Sequence, residues 1–386
     1  MPQILFMLYT TGAINQIYGM IFLGILIIVV WQWMRKGRAY INGLSSQAML
    51  TMVTFCFLYF AIGEHTIPGF LYYFVCPLLA YATGWVTVES GKNRPEEVVK
   101  YSVYFMLVGY TLHALLNYLT NIGHLRWQLT DFFTGEYAGA TGSGCINTLV
   151  FSLSMYFVFL EKNKILKAAG IIASLISLMY ALLLGTRTQF LILFVVSVLF
   201  LFFYLKETYG RTGVIRLAIV LIIFVGAYLF IYNRNIFGVR TYVDTSNLIE
   251  RYQYGTDLDR ADNYRFSSIL RGFSLMFEHP FGGLKGTKYY HNMWLDIGRV
   301  AGIFPFLCML VYTIVINVHL LRIVSNKKIE AGFKYLLFCV YLGTQINFFF
   351  EPIIEGLMGF FLVFTVINGM VEYYYHRVFL PLKQNQ

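Results

Sequence analysis

Charge is scarce in this chain. Asp, Glu, Lys and Arg make up 12% of its 386 residues, against 58% that are hydrophobic. An ordinary soluble domain carries roughly 25% charged and 45–50% apolar residues, so a water-soluble globular domain is excluded. Cysteine is sparse too. The five present, Cys56, Cys76, Cys145, Cys308 and Cys339, all lie in or beside apolar runs. None forms a CxxC pair, which argues against a zinc module or a disulfide framework. The apolar runs do not alternate with polar residues, which argues against a membrane barrel. A basic leader is missing before the first apolar run, which ends in Arg35, Lys36 and Arg38. That pattern is expected of a retained anchor and not of a cleaved signal peptide. Internal repeats and low-complexity tracts do not stand out.

What is present is a series of continuous apolar runs of about 20 residues, the length that crosses ~30 Å of hydrocarbon as a helix. In that solvent the backbone must satisfy its own hydrogen bonds, and helices do so within one segment. Eleven spans are expected. They run over Ile14–Met34, Ala48–Gly63, Phe70–Val88, Tyr101–Leu119, Cys145–Leu160 and Ile165–Leu184. The others are Gln189–Leu205, Val214–Tyr232, Val300–Leu321, Phe333–Phe349 and Ile354–Tyr373. An additional buried segment before Ile14 would raise the count to twelve, and the class allows 10–12. The fold class is therefore an all-α polytopic membrane protein. Residues 1–386 form a single membrane domain, with residues 233–299 inserted as one long, partly helical loop.

The formal net charge is +10. In a soluble protein that balance would suggest nucleic acid; here the cations cluster between apolar runs, so no nucleic-acid partner is expected. Eighteen Lys and Arg fall in one alternate set of connections, in groups such as Arg35, Lys36 and Arg38 or Arg322, Lys327, Lys328 and Lys334. Cytoplasmic loops carry such an excess, which places the long loop on the opposite, outer face. Within that loop, Phe266, Ile269, Leu270, Phe273 and Phe277 recur at helical spacing over Asn263–Glu278. Ser267, Arg271, Ser274 and Glu278 share the other face. Asp262 or Asn263 could cap the start, and Pro280 with Gly282 and Gly283 ends the segment. On its own this pattern also describes a helix resting on a bilayer.

Three features on the outer side could carry chemistry. Arg187 sits in the tight turn Gly185-Thr186-Arg187-Thr188-Gln189. Its guanidinium could grip a substrate phosphate bidentately or simply snorkel to lipid phosphate. Arg265 and Arg271 lie in the loop helix. They could bind an anion with help from the helix N-terminus, or pair with Asp257, Asp259 or Asp262. Tyr290, His291 and Asn292 stand where the chain re-enters the apolar region. A neutral imidazole there could take a proton from a sugar hydroxyl, or could be only a hydrogen-bonded interfacial residue.

The order of Arg187 with Leu191, Arg265, Arg271, Pro280-Phe-Gly-Gly283, His291-Asn292 and Gly302 resembles the O-antigen polymerase and O-antigen ligase superfamily. One glycine of the turn is out of register with that family. The specific matches lie between Arg187 and Gly302, and beyond them only the span layout is similar. The resemblance implies a metal-independent glycosyltransferase without a cofactor in the bacterial inner membrane, facing the periplasm. Donor and acceptor would be glycans on undecaprenyl pyrophosphate, and a chain-length-regulating co-polymerase would be a possible partner. It implies His291 as the general base and Arg187, Arg265 and Arg271 as pyrophosphate ligands. Asn292, Gly282, Gly283 and Tyr290 would support them.

Two alternatives stay open. A ligase would use the same donor but pass the glycan to lipid A–core. A flippase would move the lipid without chemistry. Transporters place ionisable residues near mid-membrane, whereas here His113 is the main ionisable residue in the middle of a span.

Overall fold

The computed structural model describes residues 2–14, 16–34, 47–63, 66–91, 94–210, 212–249 and 258–381. The basic residues Arg35, Lys36, Arg38, Lys92, Arg211 and Lys383 and the loop residue Asp257 lie outside the described residues. In chain order the main helices are α1 (Pro2–Thr10), α2 (Gln16–Met34), α3 (Gln47–Gly63), α4 (Ile67–Ser90) and α5 (Pro95–Thr120). Next come α6 (Asn147–Phe159), α7 (Lys164–Leu184), α8 (Arg187–Tyr209), α9 (Thr212–Asn233) and α10 (Val239–Asp244). The last are α11 (Leu258–Glu278), α12 (Met293–Ala301), α13 (Ile303–Val324), α14 (Ala331–Phe350), α15 (Ile353–Gly356) and α16 (Met358–Tyr374). Among the described residues the structure contains no β-strand beyond an isolated bridge between Thr130 and Tyr137.

The fold is that of an all-α membrane protein. Seven helices among the described residues are long and apolar enough to cross a bilayer: α4, α5, α7, α8, residues 215–233 of α9, α13 and α14. Their outward faces confirm what solvent they need. Ile165, Phe194, Ile222 and Phe230 are all at least 60% exposed, and such continuous apolar surface is unstable in water. Three further apolar stretches, Gly19–Ile28 within α2, Gln47–Gly63 and Ser143–Phe159, are shorter.

Each expected span coincides with a helix, but several differ at the ends. The run from Val300 is broken at Gly302, which separates α12 from α13. The last run begins at Met358 and not Ile354, because Glu351 and Pro352 leave the helix and a single short turn, α15, follows. Before Ile14 lies α1, nine residues with Phe6 and Tyr9 buried, too short to span.

The chain divides into two compact units. The first comprises Met1–Tyr110, Asp262–Phe338 and Phe348–Gln386; the second comprises Thr111–Ala261 and Cys339–Asn347. In the first, α4 and α16 cross at paired glycines. A Cβ on Gly84 would lie 1.9 Å from the Val366 carbonyl oxygen, and one on Gly369 2.0 Å from that of Tyr81. Where no hydrophobic effect drives helices together, small residues let backbones meet and dispersion holds them.

In the second unit, polar side chains tie the connection after α5 to that helix. Asn121 exchanges hydrogen bonds with both the N–H and the C=O of Thr130, and Asn117 accepts from the Phe132 N–H. Asp131 meets His113 at 3.0 Å. Burial would raise the Asp131 carboxyl, but His113 and the N–H groups of Thr134 and Phe133 hold it down to about 2.

Candidate functional site

The His291 site is built within the first unit from three chain segments: the turn after α11, the α12 helix and the α14–α15 connection. Asn292 starts α12, its side chain accepting from the Leu295 N–H at 3.1 Å. The Asn292 amide also donates to the Phe349 carbonyl at 3.2 Å, so the same residue anchors the end of α14. Asp296, one turn further on, accepts from the backbone N–H groups of Tyr290 at 2.9 Å and Asn292 at 3.3 Å. These donors flank His291. The clamp fixes that residue in the left-handed region, at φ 55°. Few non-glycine residues are found there, and those that are cost on the order of 1–3 kcal/mol each and cluster at functional sites.

Arg299 holds the clamp in place and is itself buried. Its Nε donates to Asp296 at 3.1 Å, and Nη1 donates to the carbonyls of Leu284, Lys285 and Thr287. Its Nη2 donates to Glu355. One guanidinium thus orders the loop, the α12 helix and the α15 turn together, and its fork suits that role where an ammonium would not. Burial pushes the Glu355 carboxyl up to about 6, with Arg299 opposing the shift and Asp296 adding to it.

The imidazole of His291 is about one-third exposed. Its Nδ1 faces Oε2 of the buried Glu351 across 3.8 Å, beyond hydrogen-bond reach but closed by a movement of under about 1 Å. An imidazole with one face open and a carboxylate behind Nδ1 has the geometry that a general base requires.

Gly282 of the preceding turn and Gly302 are required by backbone contact. Gly282 and Gly302 take φ values of 71° and 85°. A Cβ on Gly282 would meet the Val300 carbonyl at 2.4 Å, and one on Gly302 would meet that of Pro280 at 2.1 Å. The turn hydrogen-bonds across this gap, from Gly283 N–H to Val300 and from Ile303 N–H to Pro280. Gly283 also has positive φ, at 86°.

The loop helix differs from expectation. It begins at Leu258, so Asp262 and Asn263 lie inside it instead of capping it. Its packed side consists of Ile269, Gly272, Leu275 and Met276, set against Tyr290 and Leu295. Leu270, Phe273 and Phe277 are exposed. Of the apolar stripe that the sequence periodicity marked, Ile269 packs, and the rest of the packed face is the one whose glycine admits the Tyr290 ring. Arg271 is exposed and adjoins Gly272. The side chain of Arg265 lies outside the described residues; its backbone is in α11.

Arg187 belongs to the second unit. The α7 helix ends at Gly185 in the left-handed conformation, and Arg187 is the first residue of α8. Thr186, Thr188 and Gln189 around it are buried. Gln189 accepts from the Thr148 hydroxyl, which in turn accepts from Asn347. The structure therefore brings Tyr290, His291, Asn292, Gly282, Gly283 and the α11 segment of Arg271 into one unit, with Arg187 in the other.

Sequence reasoning missed Glu351, Asp296, Arg299 and Glu355. The Asn292–Asp296–Arg299 spacing of four and then three residues was a usable sign, since it puts the three on one face of a short helix. Glu351 and Glu355, some 60 residues away in sequence, offered none. No protein-family model matches the chain, and a search of curated proteins finds no similar sequence.

Proposed function

We propose that this protein is a membrane glycosyltransferase that joins oligosaccharide repeat units carried on undecaprenyl pyrophosphate, an O-antigen polymerase acting at the periplasmic face. In this reading His291 removes the proton from the attacking sugar hydroxyl of the acceptor. That oxygen bonds to the anomeric carbon of the donor, and the bond from that carbon to the pyrophosphate oxygen breaks. Undecaprenyl pyrophosphate leaves with the electron pair, and the proton stays on the imidazole, opposite Glu351. Pyrophosphate is a good leaving group and needs positive charge more than a proton. In this reading Arg265 and Arg271 supply that charge.

The observation that carries the reading is the backbone of His291. A bulky residue held at φ 55° by a dedicated Asp296 clamp, beside a buried carboxylate, is costly as architecture alone. The eleven-span topology, with basic connections in the cytoplasm and the His291 loop outside, is part of the same proposal and rests on the distribution of Lys and Arg. The acceptor is tested with purified protein and synthetic lipid-linked repeat units. Products that lengthen without any other acceptor support a polymerase. Transfer only after lipid A–core is added identifies a ligase. Movement of the lipid between leaflets without new glycosidic bonds identifies a flippase and overturns the enzyme reading.

A further inference from the structure

A second cluster of ionisable side chains lies in the first unit, towards the C-terminal ends of α13 and α16. His319 is in the last turns of α13, and Glu372 is near the end of α16. His376 follows in a wide π-type turn over Tyr375–Phe379. Ile303 and His319 are sixteen residues apart, about 24 Å along a helix, so this cluster is separate from the proposed transferase site.

Glu372 is fully buried. Its Oε1 meets His319 Nδ1 at 2.6 Å, and its Oε2 lies 3.3 Å from His376 Nε2. Neither atom of that second pair has a hydrogen-bond partner among the described residues. One ligand atom from each of the three side chains falls within 4.8 Å of the other two. A carboxylate withdrawn from water requires a compensating charge. Two imidazoles approach its two oxygens from different helices, and one approaches without making a hydrogen bond. Ligands about 2.0–2.1 Å from a tetrahedral ion stand roughly 3.3 Å apart, the spacing of the second pair. The 2.6 Å contact is a hydrogen bond that has to open by less than an ångström as an ion enters.

The surroundings orient these ligands. The His319 ring stacks on Tyr375 at a centroid distance of 3.9 Å, and Arg322 donates to the Tyr375 hydroxyl at 2.5 Å. This occupies the nearby guanidinium. Outer contacts of this kind set ring orientation in metal sites. The π-type turn supplies the local widening that such insertions often bring to functional positions in helices. Two imidazoles and a carboxylate suit a late first-row divalent ion better than calcium or magnesium, which favour all-oxygen sets.

We infer that His319, Glu372 and His376 bind one divalent transition-metal ion of the zinc class, with a fourth position open to water, and that this ion fastens α13 to α16. The inference is independent of the glycosyl-transfer reading. The test uses untagged full-length protein in detergent, stripped with EDTA and titrated with Co2+. The expected result is one saturable equivalent with visible d–d absorption, displaced by Zn2+. His319→Ala, Glu372→Gln and His376→Ala each weaken binding at least about tenfold. His279→Ala, on an exposed loop position, leaves it unchanged. Melting and gel filtration identify any variant that has lost its fold, and the parent protein decides alone if all three have. Absence of saturable Co2+ absorption in the parent, or undiminished binding by a folded His376→Ala protein, overturns the site.

Discussion

At His291 the backbone and the side chain pull in opposite directions. The left-handed conformation suits glycine far better than histidine, so His291→Gly is expected to raise the melting temperature, by the equivalent of about 1 kcal/mol. Under the proposed mechanism the same variant is inactive, since the imidazole proposed as base is gone. A drop in melting temperature would mean that the histidine stabilises the loop and that its conformation serves packing. Arg299 carries the converse expectation. Arg299→Met leaves Asp296 and Glu355 buried without their cation, which costs about 3–5 kcal/mol. A melt within error of the parent's would show that the guanidinium network is dispensable.

Glu355 gives the site a pH signature. Its folded-state pKa, about 6, lies above the ordinary value of 4.5, so the folded protein holds a proton that the unfolded chain has released between those values. Stability then falls as pH rises from about 4.5 to about 6. Measured by melting across that window, Glu355→Gln should flatten the dependence. An unchanged slope would assign it to another group.

At the scale of elements, two backbones meeting at Gly282 and Gly302 decide where the loop ends and α13 begins. Gly302→Ala is expected to destabilise by more than about 1 kcal/mol, because the new Cβ would meet the Pro280 carbonyl in a conformation that only glycine adopts readily. A neutral melt would contradict this. Much at this scale was legible beforehand. Continuous apolar runs located the helices, and Pro280, Gly282 and Gly283 marked the turn, since these residue types have few other uses there. The packed side of α11 was not legible. Leu270, Phe273 and Phe277 form the more apolar stripe, yet Gly272 and Met276 fit against Tyr290 and Gly298. Periodicity records how apolar a face is and carries no information about the shape of its partner. The same limit hid Gly84 and Gly369, where contact depends on the absence of a side chain.

For the whole molecule, the solvent is the main determinant. A chain with so much exposed apolar helix folds only where water is excluded, and polar groups inside it must find partners across long sequence separations. The networks of Arg299 with Glu355, His319 with Glu372, and Thr148 with Asn347 are of this kind. Single residues such as His291 can be picked out of a sequence because their type is rare and their neighbours are turn-formers. Their carboxylate partners cannot, because the fold alone brings them near. The central claim is that an imidazole at residue 291 drives sugar transfer between lipid carriers. The most direct measurement is electrophoresis of products formed by the purified protein from synthetic undecaprenyl-pyrophosphate repeat units, run beside His291→Ala. A ladder from the parent and none from an equally folded His291→Ala protein is the predicted result; a ladder from both, or from neither, would contradict it.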